Sequence, residues 1–191
     1  MSISTVSTQQ RKKIHPTKFT LWVALGSIIM MFAGLTSAYI VKSNQAGWRA
    51  VEMPQIFWYS TAVILLSSLM IQVALRSFKQ REMNRYRLFM AVTVLLGILF
   101  IVLQCRGFLQ LWNSGVQFKG ASGAGQFLYV IAGLHVAHVL GGVITLTVMF
   151  IQAFFGRTKL YSSVPVEIAA TYWHFVDLLW IYLLVFFLWI G

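Results

Sequence analysis

Four ionisable side chains stand inside stretches that are otherwise apolar: His135 and His138 in one, His174 and Asp177 in the next. Such groups are costly in hydrocarbon, so they face protein or trapped water and pair with one another. His135 and His138, three residues apart, share a helix face, a spacing from which two imidazoles ligate a metal or, with partners elsewhere, a haem. A haem also needs an axial histidine on an opposing helix and room for the macrocycle, and the remaining intramembrane histidine, His174, falls nearer one surface. A hydrogen-bonded cluster is therefore the expectation, because buried polar side chains are normally satisfied within the protein. No catalytic, cofactor-binding or metal-ligating residue is assigned to this chain.

Glu167, Thr171, His174 and Asp177 fall at offsets of 0, 4, 7 and 10, one stripe along a helix. The stripe reads either as a proton-accessible path from one surface or as a seam of interhelical hydrogen bonds. His138, Gly142, Thr145 and Met149 make a second stripe, and Gly133, Gly141 and Gly142 are small enough to let helices approach closely. Trp173 and Trp180, seven apart, occupy packing positions or touch lipid tails, whereas Trp48, Trp58, Trp112 and Trp189 lie near the ends of apolar blocks and read as interfacial anchors.

The elements that carry these residues are long. Of 191 residues, 59% are hydrophobic and only 10% charged, and a soluble domain carries roughly a quarter charged residues, so the water-soluble class is excluded. Uncharged runs predict five spans at about 19–41, 56–75, 88–112, 126–153 and 168–190, each near the ~20 residues that cross a bilayer as a helix. The third is continued past Arg106 because arginine extends its guanidinium to the interface. A helix satisfies its own backbone in lipid, and these runs are about twice the length of a barrel strand, so the fold expected is all-α, a bundle of five transmembrane helices. Residues 1–18 read as a basic tail without a signal-peptide core, and 19–191 as the membrane domain.

The net charge of +11 invites a nucleic-acid reading, but the basic residues lie in short runs between apolar blocks, where they anchor helix ends, and no nucleic acid is expected. Eleven Lys and Arg fall in the tail and the two loops on its side, and four on the other (Lys42, Arg49, Arg106 and Lys119). The amino terminus is therefore expected inside and the carboxyl terminus outside. One cysteine, Cys105, excludes an internal disulfide and a thiolate cluster. The stretch 115–125 lacks the Lys-Ser/Thr ending of a P-loop and reads as a flexible loop. Counted along antiparallel neighbours, His138 and Asp177 come to similar depth near the midplane, which predicts a contact between them.

The last block, VEIAATYWHFVDLLWIYLLVFFLWIG, resembles the terminal helix of subunit III of the haem-copper oxidases, the cytochrome c oxidase group. Glu167 stands seven residues before the His of a Tyr172-Trp173-His174-Phe175-Val176-Asp177 run, with Trp180 following. GLHVAHVLGG resembles the same family's Gly-Phe-His-Gly-x-His-Val-x-x-Gly pattern through Gly133, His135, His138, Val139 and Gly142. MFAGLTSAYIV and LLGILFIVLQ are weaker matches to earlier helices. Five spans rather than seven imply the short form, without the two helices that wall a lipid-holding cleft in longer members. Two family carboxylates have no counterpart: Ser27 is followed by Ile28, and Arg106-Gly107-Phe108 stands where a Glu is often found.

The resemblance implies a cofactor-free subunit that packs on the catalytic haem-copper subunit I and other oxidase subunits in a bacterial inner (plasma) membrane. Haem and copper would sit in those partners, and the reduction of oxygen to water, coupled to proton pumping in aerobic electron transport, would belong to the complex. For the chain itself it implies stabilisation of the catalytic subunit, support for proton entry, contact with membrane lipids including a bound phospholipid, and membership of a respiratory supercomplex. Two other readings stay open: a subunit III-like component of a quinol oxidase or nitric oxide reductase, and a small proton-coupled transporter using the His135, His138, His174 and Asp177 group.

Overall fold

The computed structural model describes residues 16–44, 53–115, 123–155 and 163–190. Five helices account for them: α1 (Pro16–Ser43), α2 (Ile56–Lys79), α3 (Met83–Asn113), α4 (Gly123–Phe155) and α5 (Val164–Ile190). All five are long and apolar enough to cross a membrane. The shortest, α2 at 24 residues, runs about 36 Å at ~1.5 Å per residue, more than the ~30 Å of a hydrocarbon core. Proline opens α1 and sits in the first turn of α5, where its missing N–H leaves no helical bond unmade.

Several boundaries lie outside the uncharged runs. Helix α3 starts at Met83, not near 88, because Arg85 and Arg87 belong to its first turns. Arg87 reaches across to α4, donating from Nε to the Ala153 carbonyl at 2.8 Å and lying 5.2 Å from the centre of the Phe154 ring. Helix α4 extends back to Gly123, and the first turn of α1 takes in residues 16–18 of the tail. Arg11, Lys12, Lys13, Trp48, Arg49, Lys119, Arg157, Lys159, Gly191 and most of the glycine-rich stretch lie outside the described residues.

Helices α2 and α3 form the tightest pair. Their buried positions alternate in steps of three and four: Phe57, Ser60, Ile64, Ser67, Ile71, Ala74 and Phe78 on α2, and Tyr86, Met90, Thr93, Gly97, Phe100, Gln104, Gly107 and Leu111 on α3. That 3.5-residue period keeps one seam facing the partner along a left-handed crossing, and the small residues in it bring the backbones close. At the turn, Glu82 N–H donates to the Ser77 carbonyl and Arg81 N–H to that of Phe78. Arg81 takes the left-handed position, φ 64°, that glycine usually fills when a helix ends this way.

Helix α5 is central, with half of its spanning window buried against 17% for α1. The helices alternate up and down. Lys18 of α1, Lys79 of α2 and Glu167 of α5 meet at one end; at the other, Tyr39 packs on Phe186 and Phe187, Phe57 on Phe108, and Trp112 on Tyr129.

Candidate functional site

The polar side chains of α5 turn toward α2. Trp173, fully buried, donates its indole N–H to Ser67 Oγ at 3.1 Å, and Ser67 donates in turn to the Thr93 carbonyl of α3 at 3.3 Å. One serine thus links three helices. The Trp173 ring lies so close to Gly142 of α4 and Gly97 of α3 that a Cβ on either glycine would come within 2.9 Å of it. One heptad on, Trp180 donates to Thr61 Oγ1 at 2.9 Å and stacks on His135, with ring centres 5.3 Å apart and 28° between planes. Phe100 stands edge-on to both rings.

His174 sits between the two tryptophans in sequence and also reaches α2. Its Nδ1 lies 2.6 Å from Ser68 Oγ and its Nε2 3.3 Å from Gln72 Oε1. Because Gln72 Oε1 can only accept, Nε2 carries the ring proton and Nδ1 accepts the serine O–H. Asp177, 2% exposed, lies beside Ser68 with neither carboxyl oxygen in a hydrogen bond. At the amino-terminal end of the stripe Glu167 receives Lys18 at 2.7 Å, Lys79 at 3.0 Å and the Ser163 hydroxyl at 3.1 Å, which ties α1, α2 and α5 together. Thr171 does not continue the stripe, since its hydroxyl donates back to the Glu167 carbonyl at 2.8 Å.

The structure does not join His138 to Asp177. His138 Nδ1 bonds the Leu134 carbonyl of its own helix at 2.7 Å, and its ring stands edge-on to Phe32 of α1, centres 5.8 Å apart. Matching depth sets height along the two helices but leaves their rotation open, and here His138 turns toward α1 while Asp177 turns toward α2. What crosses from α5 to α4 instead is the Tyr172 hydroxyl, which donates to the His138 carbonyl at 3.1 Å. His135 is fully buried and neither ring nitrogen has a hydrogen-bond partner. Aromatic rings, not space for a macrocycle, surround it, and both ring nitrogens of His174 are bonded to Ser68 and Gln72, so these histidines do not present an opposed pair of axial ligands for a haem. Among the described residues no group of three or more His, Cys, Asp or Glu gathers to hold a metal ion.

Of the three packing glycines, Gly142 lies against Trp173, whereas a Cβ added at Gly141 would make an ordinary 3.9 Å contact with the Tyr172 hydroxyl and one added at Gly133 would meet nothing within 4 Å. Close approach at Gly133 is thus not made within this chain, since that position faces outward. Trp58, Trp112 and Trp189 are exposed. The residues that the reading of α5 overlooked are its partners: Thr61, Ser67, Ser68 and Gln72 on α2, and Lys18 and Lys79. Thr61, Ser68 and Gln72, at offsets 0, 7 and 11, carry the same stripe spacing as α5.

Five helices of membrane-spanning length, tied to one another by side-chain hydrogen bonds and an ion-pair cluster, define a polytopic membrane protein. Residues 17–191 match the family Cytochrome c oxidase subunit III, and the chain belongs to that family. It is similar to cytochrome c oxidase subunit 3 of Bacillus sp. (strain PS3), 29% identical with 85% of this chain and 80% of the relative covered. A probable cytochrome c oxidase subunit 3 of Mycobacterium leprae is 27% identical over 94% of each chain, and a probable quinol oxidase subunit 3 of Staphylococcus epidermidis is 24% identical over 87% of this chain and 85% of the relative. The protein is a haem-copper oxidase subunit III, a multi-pass protein of the bacterial plasma membrane that associates with other oxidase subunits.

Proposed function

We propose that the chain is the cofactor-free subunit that packs on the catalytic haem-copper subunit I of a cytochrome c oxidase, stabilises it during turnover and supports proton entry from the inner side. One observation carries this reading: the motif residues of α5 are engaged in holding the bundle together, through Trp173 to Ser67, Trp180 to Thr61, His174 to Ser68 and Gln72, and Glu167 to Lys18 and Lys79. Side chains so used position helices. They are not available as ligands. The amino terminus lies inside, so the Glu167 cluster faces the cytoplasm, where protons are taken up. A groove between α1, α4 and α5, about 810 Å³ and lined by Leu21, Ala24, Thr145, Val148, Met149 and Ile168, has the apolar walls that suit an acyl chain and is where a bound phospholipid would lie. The quinol oxidase relative supports a second reading in which the electron donor is a quinol.

The test strips the subunit from the purified complex. The haem spectrum and the initial rate of oxygen reduction should be largely retained, while activity decays during turnover. Immediate loss of all oxygen reduction would contradict a supporting role. Replacing Glu167 by Gln probes proton entry alone, because it removes the charge and nearly keeps the shape. A slower rate at alkaline pH, or a shorter turnover lifetime, is expected; an unchanged rate, pH profile and lifetime would leave Glu167 a structural tie.

A further inference from the structure

The α2–α3 turn carries more positive charge than the nearby carboxylates answer. Glu167 holds Lys18 and Lys79, Glu82 holds Arg85 at 2.9 Å, and Arg87 donates to the Ala153 carbonyl. Among the described residues the side chains of Arg76 and Arg81 have neither a carboxylate nor a hydrogen-bond acceptor. Arg81 lines a small polar cavity of about 170 Å³ together with Lys79, Ser163 and Phe78. Lys79 turns one of its three N–H groups to Glu167 and keeps the others, and Arg81 keeps all five. Ser163 offers only lone pairs, because its O–H is given to Glu167, and the N–H groups of Gln80, Arg81 and Glu82 are bonded to carbonyls of α2. The cavity wall is thus rich in charged side-chain donors, which suits an anion with several oxygens.

Depth narrows the choice of anion. The uncharged run of α2 ends at Leu75, and Lys79 comes four residues later, about 6 Å further along the axis. The headgroup layer beyond each side of the hydrocarbon core is about 5–7 Å thick, so Lys79 and Arg81 stand at the level of lipid phosphates. Anionic lipids attract basic residues set just beyond a span, and arginine takes phosphate oxygens through two parallel N–H groups. Arg81 also stands at φ 64°, a position that glycine fills without strain. What arginine adds there is its side chain, not the turn.

We infer that Lys79 and Arg81 form a phosphate-binding site at the α2–α3 turn, and that the phosphodiester of an anionic phospholipid in the adjoining leaflet is its ligand. The two non-bridging oxygens of the diester match the Arg81 fork, and Lys79 connects the phosphate to Glu167, so the headgroup joins the ion cluster that holds α1, α2 and α5. The residues of this site are not those of the apolar groove between α1, α4 and α5. It requires neither proton entry nor a particular orientation of the bundle.

Native mass spectrometry of the delipidated oxidase complex in detergent tests it, with short-chain phosphatidylglycerol, phosphatidylcholine or inorganic phosphate added at matched ionic strength. Arg81→Gly is the informative variant, because glycine suits the turn and only the guanidinium is lost. Phosphatidylglycerol should bind this variant about fivefold more weakly than wild type at one site, and Arg81→Lys should recover most of the loss. Arg81→Gln, which keeps the backbone strain, is read beside them and should lose affinity as Arg81→Gly does. Equal phosphatidylglycerol binding in wild type and both uncharged variants overturns the site, and a loss confined to Arg81→Gly traces to the turn and overturns the role of the side chain. Equal affinity of the wild-type site for phosphatidylcholine overturns the choice of an anionic lipid. Displacement of phosphatidylglycerol by inorganic phosphate at comparable concentration would keep the phosphate chemistry and overturn the lipid as its source.

Discussion

Trp173 shows how one side chain specifies a junction of four helices. Its indole is fixed by Ser67, and its ring occupies space left open by the absence of a Cβ at Gly97 and Gly142. Gly142→Ala pushes a methyl to 2.9 Å from the ring, and overpacking of this kind costs about 1–3 kcal/mol. Gly133→Ala meets nothing within 4 Å and should stay within about 0.5 kcal/mol of wild type. Thermal unfolding of the two variants checks the contrast, and equal losses would mean that the Trp173 pocket is not tight. The apolar runs made five helices legible, since a stretch such as Leu88–Leu103 has few other fates. The direction of each polar residue around its helix was not legible. Depth alone matched His138 with Asp177, whereas rotation decided that they face different neighbours. Sharing no partner, His138→Leu and Asp177→Leu should add in a double variant to within about 0.3–0.5 kcal/mol. A non-additivity well above that, measured by thermal unfolding, would restore the contact.

At the scale of elements, the α2–α3 pair rests on a seam whose polar members are unequally satisfied. Gln104 is fully buried and donates from Nε2 to Ser60 Oγ at 3.1 Å, but its Oε1 accepts nothing. Ser60 spends its own proton on the Phe57 carbonyl at 2.9 Å. Ser60→Ala therefore leaves the whole Gln104 amide buried without a partner and should destabilise by about 1–3 kcal/mol, the desolvation cost of an unmade bond. Adding Gln104→Leu removes both the donor and the unsatisfied acceptor, so the double variant should recover most of the loss. Intramembrane hydrogen bonds average about 0.6 kcal/mol, so the bond itself contributes little and the asymmetry carries the signal. Subunit retention after mild heating ranks the variants, and a double variant weaker than Ser60→Ala would mean that the leucine does not fit the seam. The seven-residue spacing of Ser60, Ser67 and Ala74, and the small residues Thr93, Gly97 and Gly107, were present in the sequence, yet serine and glycine are frequent in membrane helices, and only pairing shows which of them meet.

For the whole molecule, charge and packing agree on which ends belong together. Lys18, Glu167 and Lys79 join the start of α1, the start of α5 and the end of α2, and Arg87 with Ala153 joins the start of α3 to the end of α4. Among the described residues Lys18, Arg76, Lys79, Arg81, Arg85 and Arg87 stand at that end, and Lys42 and Arg106 at or toward the other. Basic residues near span ends are retained on the cytoplasmic side, which predicts that the bundle sits with the Glu167 cluster inward. Cys105, the single cysteine, faces outward from α3 and is first replaced by serine. Gln80→Cys, in the α2–α3 turn, and Ser114→Cys, beyond the end of α3, then report the two faces. A membrane-impermeant maleimide applied to intact cells should modify residue 114 and spare residue 80, and inverted vesicles should give the reverse. Labelling of residue 80 from outside would turn the bundle over, placing the Glu167 cluster away from the side on which protons are taken up and removing the physical basis for its part in proton entry, while leaving the packing of α5 on α2 untouched.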